Sequence, residues 1–151
     1  MCSSDLTMEK LISQLRTILG TNFSLYFKAH SYHWNVEGPD FPEYHGFLGD
    51  FYNAVYEQTD DIAEHLRRLD TYAPVSLSRM MELSDIEDDV NIPAAVGMFS
   101  NLRRDNDRYI IHLRAGIAAA DDAGEPAVSN FLQDILGKHQ KHAWMLRSIT
   151  K

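Results

Sequence analysis

Four side chains stand out for the chemistry they could do together. His33 and His45 flank the stretch Trp34-Asn35-Val36-Glu37-Gly38-Pro39-Asp40-Phe41-Pro42-Glu43-Tyr44, and Asp60 and Glu64 follow in Asp60-Asp61-Ile62-Ala63-Glu64. Proline lacks a backbone donor and disfavours helix in the residue before it, so Gly38-Pro39 ends one helix and precedes the next. His33 then closes the first helix, His45 opens the second, and the hairpin brings the two imidazoles towards each other. Asp60 and Glu64 lie one turn apart and project from one face of the second helix. Imidazole and carboxylate with open positions form a ligand set suited to iron.

One chain does not bring these groups to one metal. His45 and Asp60 are fifteen residues apart on one helix, about 22 Å at helical rise. Two copies of the second helix packed antiparallel put His45 of one beside Asp60 and Glu64 of the other. A two-fold axis near Asn53-Ala54 then gives two equivalent sites per dimer. The chain has no Glu-x-x-His motif, the device by which di-iron bundles build their site inside one chain. Each residue alone has a plainer reading: a helix-end histidine as a cap or core group, an acid pair as a solvated face.

The elements that must position these groups are helical throughout, with no sustained strand-like alternation. A first stripe runs through Leu11, Ile12, Leu15, Ile18, Leu19, Phe23, Tyr26, Phe27, His30, His33 and Trp34, with Thr7 as its expected N-cap. A second takes Tyr44, Phe47, Leu48, Phe51, Val55, Tyr56, Thr59, Ile62, Ala63, Leu66 and Leu69, and stops near Tyr72-Ala73-Pro74. Residues 74–93 form a connector with a short helical piece at Leu77 to Glu82. Its acids Glu82, Asp85, Glu87, Asp88 and Asp89 read as a solvated linker. A third stripe from Val96 to Ile117 closes at Asp121-Asp122-Ala123-Gly124, with Gly124 as a C-cap. Pro126 suits the first turn of a fourth helix carrying Val128, Phe131, Leu132, Ile135, Leu136, His139, Trp144, Met145 and Ile149. Short first and last connections around one long crossover predict an all-α, ferritin-like four-helix bundle, the crossover carrying a short helix between helices two and three.

At 151 residues the chain fits one domain, expected over 7–151, with residues 1–6 set aside as a non-native or disordered tail. No apolar run is long enough to cross a bilayer, and the N-terminus lacks a signal-peptide pattern. The single cysteine, Cys2, makes no internal disulfide. These features predict a cytoplasmic protein without a membrane partner. The formal charge of −8 has the wrong sign for wrapping nucleic acid and the right one for attracting cations.

The stretch His30-Ser31-Tyr32-His33-Trp34-Asn35-Val36-Glu37-Gly38-Pro39-Asp40-Phe41, with His45 and Asp60-x-x-Ala63-Glu64, resembles the signature of the Dps family, the mini-ferritins known as DNA-binding proteins from starved cells. Lys141-His142-Ala143-Trp144-Met145-Leu146-Arg147 is similar to that family's last helix. The resemblance covers nearly the whole chain. It implies a twelve-subunit shell that oxidises Fe(II), preferably with hydrogen peroxide, stores the ferric mineral and protects against oxidative stress. It also implies that His33 and His45 come from one subunit and Asp60 and Glu64 from its mate, with Glu64 the strongest or bridging ligand. Trp34 would stand where it intercepts radicals, or serve simply as a packing aromatic.

Departures from the family pattern carry consequences. Gly49 stands where the family has an aspartate, so the second iron position should be weaker. Asp50 is rotated by about 100° along the helix and is expected to miss the metal. His65 replaces an arginine and could hold water or a carboxylate beside the site. Glu125, Asn130 and Asp134 match the family's three-fold iron channel, with Asn130 removing one ring of charge; Glu125 alone is explained by the helix dipole. DNA binding is not favoured. Residues 1–7 hold no lysine or arginine, and no extension follows Lys151, although Lys138, Lys141, Arg147 and Lys151 give the last helix some basic character. The competing functions are a DNA-coating nucleoid protein and a structural cage with a degenerate site.

Overall fold

The computed structural model describes residues 3–151 as five helices: α1 (Ser3–Asn35), α2 (Phe41–Arg68), α3 (Leu77–Leu83), α4 (Ala95–Asp122) and α5 (Pro126–Ile149). No strand occurs among the described residues. Met1 and Cys2, which belong to the expected tail, lie outside them. The first helix starts earlier than its periodicity suggested. Nothing between Ser3 and Thr7 breaks helix, and Asp5 sits in the first turn, where a negative charge complements the helix dipole. Thr7 is therefore not the N-cap; its hydroxyl donates back to the Ser4 carbonyl at 3.0 Å from inside α1.

Side-chain pairs fix the topology. Asn22 bonds Val55 and Thr59 of α2 and accepts from Tyr109 of α4. Gln14 reaches His112, while Lys28 reaches Asp105. Later residues of α1 thus meet earlier residues of α2 and of α4, so α1 is antiparallel to both. Phe51 meets His142 and His65 meets Phe131, which makes α2 and α5 antiparallel as well. The diagonal partners α2 and α4 then run parallel, and the chain between them must return along the whole bundle.

That return, residues 69–94, is pinned rather than free. Arg16 donates to Thr71 and to the Tyr72 carbonyl, Thr21 accepts from the Asp85 amide, Ser24 bonds Ser84, and Tyr32 donates to Asp89. Asp85 also pairs with His112 at 2.8 Å and Arg108 at 3.8 Å. Two of the acids expected in a solvated linker are thus its fasteners, and Ile86 between them is buried. The helix α3 packs tightly where α1 lacks a side chain: a Cβ at Gly20 would come within 2.6 Å of the Met80 carbonyl oxygen.

The core is built largely from the expected stripes, with Leu11, Leu15, Ile18, Leu19, Leu48, Val55, Ile62, Leu66, Leu102, Leu113 and Leu132 closed to solvent, and Leu25 and Leu146, which lay outside those stripes, join them. Gly124 takes φ +67°, a left-handed conformation that suits glycine, and lets the Glu125 amide reach back to the Ala120 carbonyl. No helix among the described residues is long and apolar enough to cross a membrane. Some stripe residues do not enter the core: Phe27, Trp34 and Tyr56 on α1 and α2, Val96 on α4 and Trp144 on α5 remain exposed, as does Phe41 at the start of α2.

Candidate metal centre

The turn between α1 and α2 joins the two imidazoles as expected. Their rings stack at 3.7 Å between centroids, tilted by 16°. Each Nδ1 lies 2.8 Å from the other residue's main-chain carbonyl oxygen. A carbonyl only accepts, so both Nδ1 atoms carry the proton and donate it. In the neutral ring the lone pair is then on Nε2. The hairpin backbone thereby holds both histidines in the tautomer a cation needs, the role usually filled by groups behind a metal ligand.

Gly49 makes room for this arrangement. A Cβ at that position would lie 3.1 Å from His33 Cε1 and 3.4 Å from its Nδ1. The imidazole rests almost on the backbone of α2, in space a larger residue would share. Asp50, the next residue, lines a cleft between α2 and α5 with Lys138, Lys141 and His142 instead.

Asp60 and Glu64 are both exposed on α2. With Asp61, which sequence reading did not single out, they offer carboxylate oxygens that all lie within 4.8 Å of one another. They sit about four helical turns beyond His45, so a single chain carries the imidazoles at one place and the acids at another.

Among the described residues, the interior of the bundle offers no alternative centre. Asp105 is the one buried carboxylate among the described residues, and Lys28 neutralises it at 2.7 Å. At mid-bundle, Gln58 donates to Asn22 and to His139 Nε2, while His139 Nδ1 donates to Asn106. Burial, then the charges of His142 and Lys138, hold the pKa of His139 well below the usual value. This centre is a neutral hydrogen-bonded network, without the acids that bridge a pair of irons.

Around the histidine pair lies an aromatic cluster. His30 stacks on Tyr52 at 3.8 Å and meets Trp34 at 4.2 Å between centroids with the rings tilted by 41°, and its Nδ1 is 2.9 Å from the Tyr26 hydroxyl. Desolvation first, and the nearby His33 second, lower the His30 pKa, which favours the neutral ring. Trp34 is 57% exposed. His65 turns into the bundle, buried against Phe131 at 4.4 Å between ring centroids. Burial, and then Arg68, lower its pKa. Its side chain is on the inner face of α2 while those of Asp60 and Glu64 are on the outer one. Glu125 occupies the N-cap position of α5, Asn130 and Asp134 are exposed farther along it, and Asp134 pairs with Lys138 at 3.6 Å.

Residues 12–151 match the family model described as the ferritin-like domain. DNA protection during starvation protein 2 of Bacillus anthracis is 28% identical over 124 residues, covering 82% of this chain and 85% of that protein. The crystal structure of a Dps protein from Bacillus brevis superposes with a TM-score of 0.93 at 25% identity, over 100% of both chains. The chain belongs to the Dps family. An uncharacterised low temperature-induced protein of Nostoc is 31% identical over 147 residues, covering 96% of this chain and 82% of that one.

Sequence reading placed Tyr26 and His30 in the first stripe, and His30 in the family signature, without joining them to Tyr52. The available signal was spacing: Tyr26, His30 and His33 recur at helical intervals on one face of α1. Their contact with Tyr52 needed the packing of α1 on α2.

Proposed function

We propose that this chain is a ferroxidase and iron-storage mini-ferritin. It oxidises Fe(II) to Fe(III), with hydrogen peroxide as oxidant, at sites shared between subunits of a twelve-subunit cytoplasmic cage, and so limits oxidative stress. His33 and His45 of one subunit and Asp60 and Glu64 of its two-fold mate hold the iron. Glu125, Asn130 and Asp134 line its entry. Removing Fe(II) and peroxide together accords with relatives named for protecting DNA in starvation.

The observation that supports the reading is the reciprocal bonding of His33 and His45, which leaves both Nε2 lone pairs without a hydrogen bond among the described residues. Two neutral imidazoles and two carboxylates balance the charge of one divalent cation. Antiparallel pairing of α2 would bring the acids to the histidines and cover Phe27, Trp34 and Tyr56. It would also take apolar area out of water, at about 25 cal/mol per Å². Inside the site the histidines would orient the cation, while the carboxylates would favour the ferric product through its extra charge.

The test is Fe(II) titration with peroxide, followed optically. The wild-type chain should show oxidation that saturates per subunit. Glu64→Ala and His33→Ala should slow it by at least about tenfold, the lower range for losing even an indirect support of a metal. Equal rates in all three proteins would overturn the reading in favour of a structural cage.

A further inference from the structure

We propose that the cleft between α2 and α5 binds a free α-amino acid with an aromatic side chain. The inference goes beyond the iron reading, and the ligand touches none of the residues assigned to iron.

The cleft has a volume of about 350 Å³, within the range of about 300–1,000 Å³ usual for small-molecule sites. Its floor is apolar: Phe47 and Phe51 of α2 stack at 6.2 Å between centroids, and Met145 lines it from α5. His142 forms the middle, its ring held edge to face by Phe51 at 4.8 Å and by His139 at 5.0 Å. Burial first, and Lys141 second, lower the His142 pKa to about 4, so this part carries no charge near neutral pH. The charges stand at the rim. Asp50 is on the α2 side, Lys138 and Lys141 are on the α5 side, and all three are exposed. No ion pair joins Asp50 to either lysine, and Lys141 has none among the described residues.

Their order along the groove selects the ligand. The contact of Phe51 with His142 fixes the register of the two antiparallel helices. Asp50 comes just before Phe51 and Lys141 just before His142. In antiparallel helices these two residues lie on opposite sides of the contact, separated by about 3 Å of helical rise. Lys138 stands farther along on the side of Lys141. Phe47 and Met145 lie the other way, about 5 Å from the contact. The sequence of features is thus an apolar end, then an anion, then two cations. An aromatic α-amino acid carries the complement in the same order: ring, ammonium, carboxylate, with both charges on one carbon. Its ammonium meets Asp50, its carboxylate meets Lys141 and Lys138, and its ring rests on Phe47 beside the Met145 thioether, a favourable partner for an aromatic edge. Charge favours a zwitterion over a simple acid. Asp134 already draws on Lys138 at 3.6 Å, so the rim is close to neutral.

The test titrates the whole metal-free protein calorimetrically. L-Phenylalanine should bind at one site per subunit. Phenylpropionate, which lacks the ammonium, and phenethylamine, which lacks the carboxylate, should each bind at least about fivefold more weakly, the weight of one charge pair open to solvent. Free alanine, without the ring, should show no saturable binding. Asp50→Asn should bring L-phenylalanine down to the affinity of phenylpropionate and leave phenylpropionate itself no weaker. Lys141→Gln should bring it down to that of phenethylamine. Photolysed para-azido-L-phenylalanine should label peptides that contain Phe47 or Met145, and excess L-phenylalanine should suppress the label. Absence of saturable L-phenylalanine binding overturns the proposal, as does phenylpropionate or phenethylamine binding as tightly as L-phenylalanine. Labelling confined to other peptides, or unchanged affinity in both variants, overturns it too. The wild-type titrations and the labelling decide the question if a variant fails to fold.

Discussion

His33 and His45 secure each other, each imidazole donating through Nδ1 to the other's main-chain carbonyl at 2.8 Å. The pair is a unit: losing either ring strips a donor from the other's backbone and removes the stack. Residues that act as a unit are non-additive. His33→Ala and His45→Ala should therefore each lower the iron oxidation rate about as far as the double variant does. Initial rates of the three proteins check this, and a double variant much slower than either single one would speak against it.

Position 49 should separate stability from activity. Replacing a helical glycine by alanine favours the helix by about 1 kcal/mol, but the new Cβ would lie 3.1 Å from His33 Cε1. Gly49→Ala is expected to keep or raise the melting temperature while slowing iron oxidation several-fold. Gly49→Asp brings the same Cβ together with a carboxylate beside His33, so it should bind more Co(II) per subunit than Gly49→Ala does. Calorimetric titration and thermal melts read both outcomes.

The crossover should be sensitive at Gly20, where a Cβ would come within 2.6 Å of the Met80 carbonyl oxygen and 2.8 Å of Leu83 Cβ. Backbone gives way poorly, so Gly20→Ala is expected to cost about 1–3 kcal/mol as an overpacked contact. It should also expose residues 77–93 to protease. Urea melts and limited proteolysis test both parts.

Buried His139 and half-buried His142 set a pH dependence. Burial, with a contribution from Lys141, lowers the His142 pKa to about 4, and His139 is also held well below its usual value. The unfolded chain, with histidines near 6.5, binds more protons in this range, so stability falls as pH drops. Their contribution is complete above about pH 6.5 and is lost progressively as pH falls towards 4 and, for His139, below it. Each group alone steepens the slope by up to about 1.4 kcal/mol per pH unit. Melting temperatures between pH 7 and pH 4 should decline less in His142→Phe than in wild type.

DNA should be bound weakly, and only at low salt. The net charge is −8, and Lys138, part of the basic face of α5, is already paired with Asp134 at 3.6 Å. Phosphate contacts lose affinity steeply with salt. A gel shift at near-physiological salt would favour the nucleoid reading over the iron one.

The chain itself determined the bundle, because apolar periodicity, Gly38-Pro39, Gly124 and Pro126 are local signals that act within a few residues. It also determined that His45 and Asp60 do not meet on one straight helix, since helical rise alone sets that separation. The start of α1 was less legible: Thr7 resembles a cap, yet nothing before it prevents a further turn. The acids of the crossover read as solvated, and only packing revealed Asp85 against His112 and Asp89 against Tyr32. The tautomers of His33 and His45, the room Gly49 provides and the bond from Tyr26 to His30 likewise required the fold. Each depends on the distance and direction between atoms on different helices or successive turns, and a list of residue types does not contain those quantities.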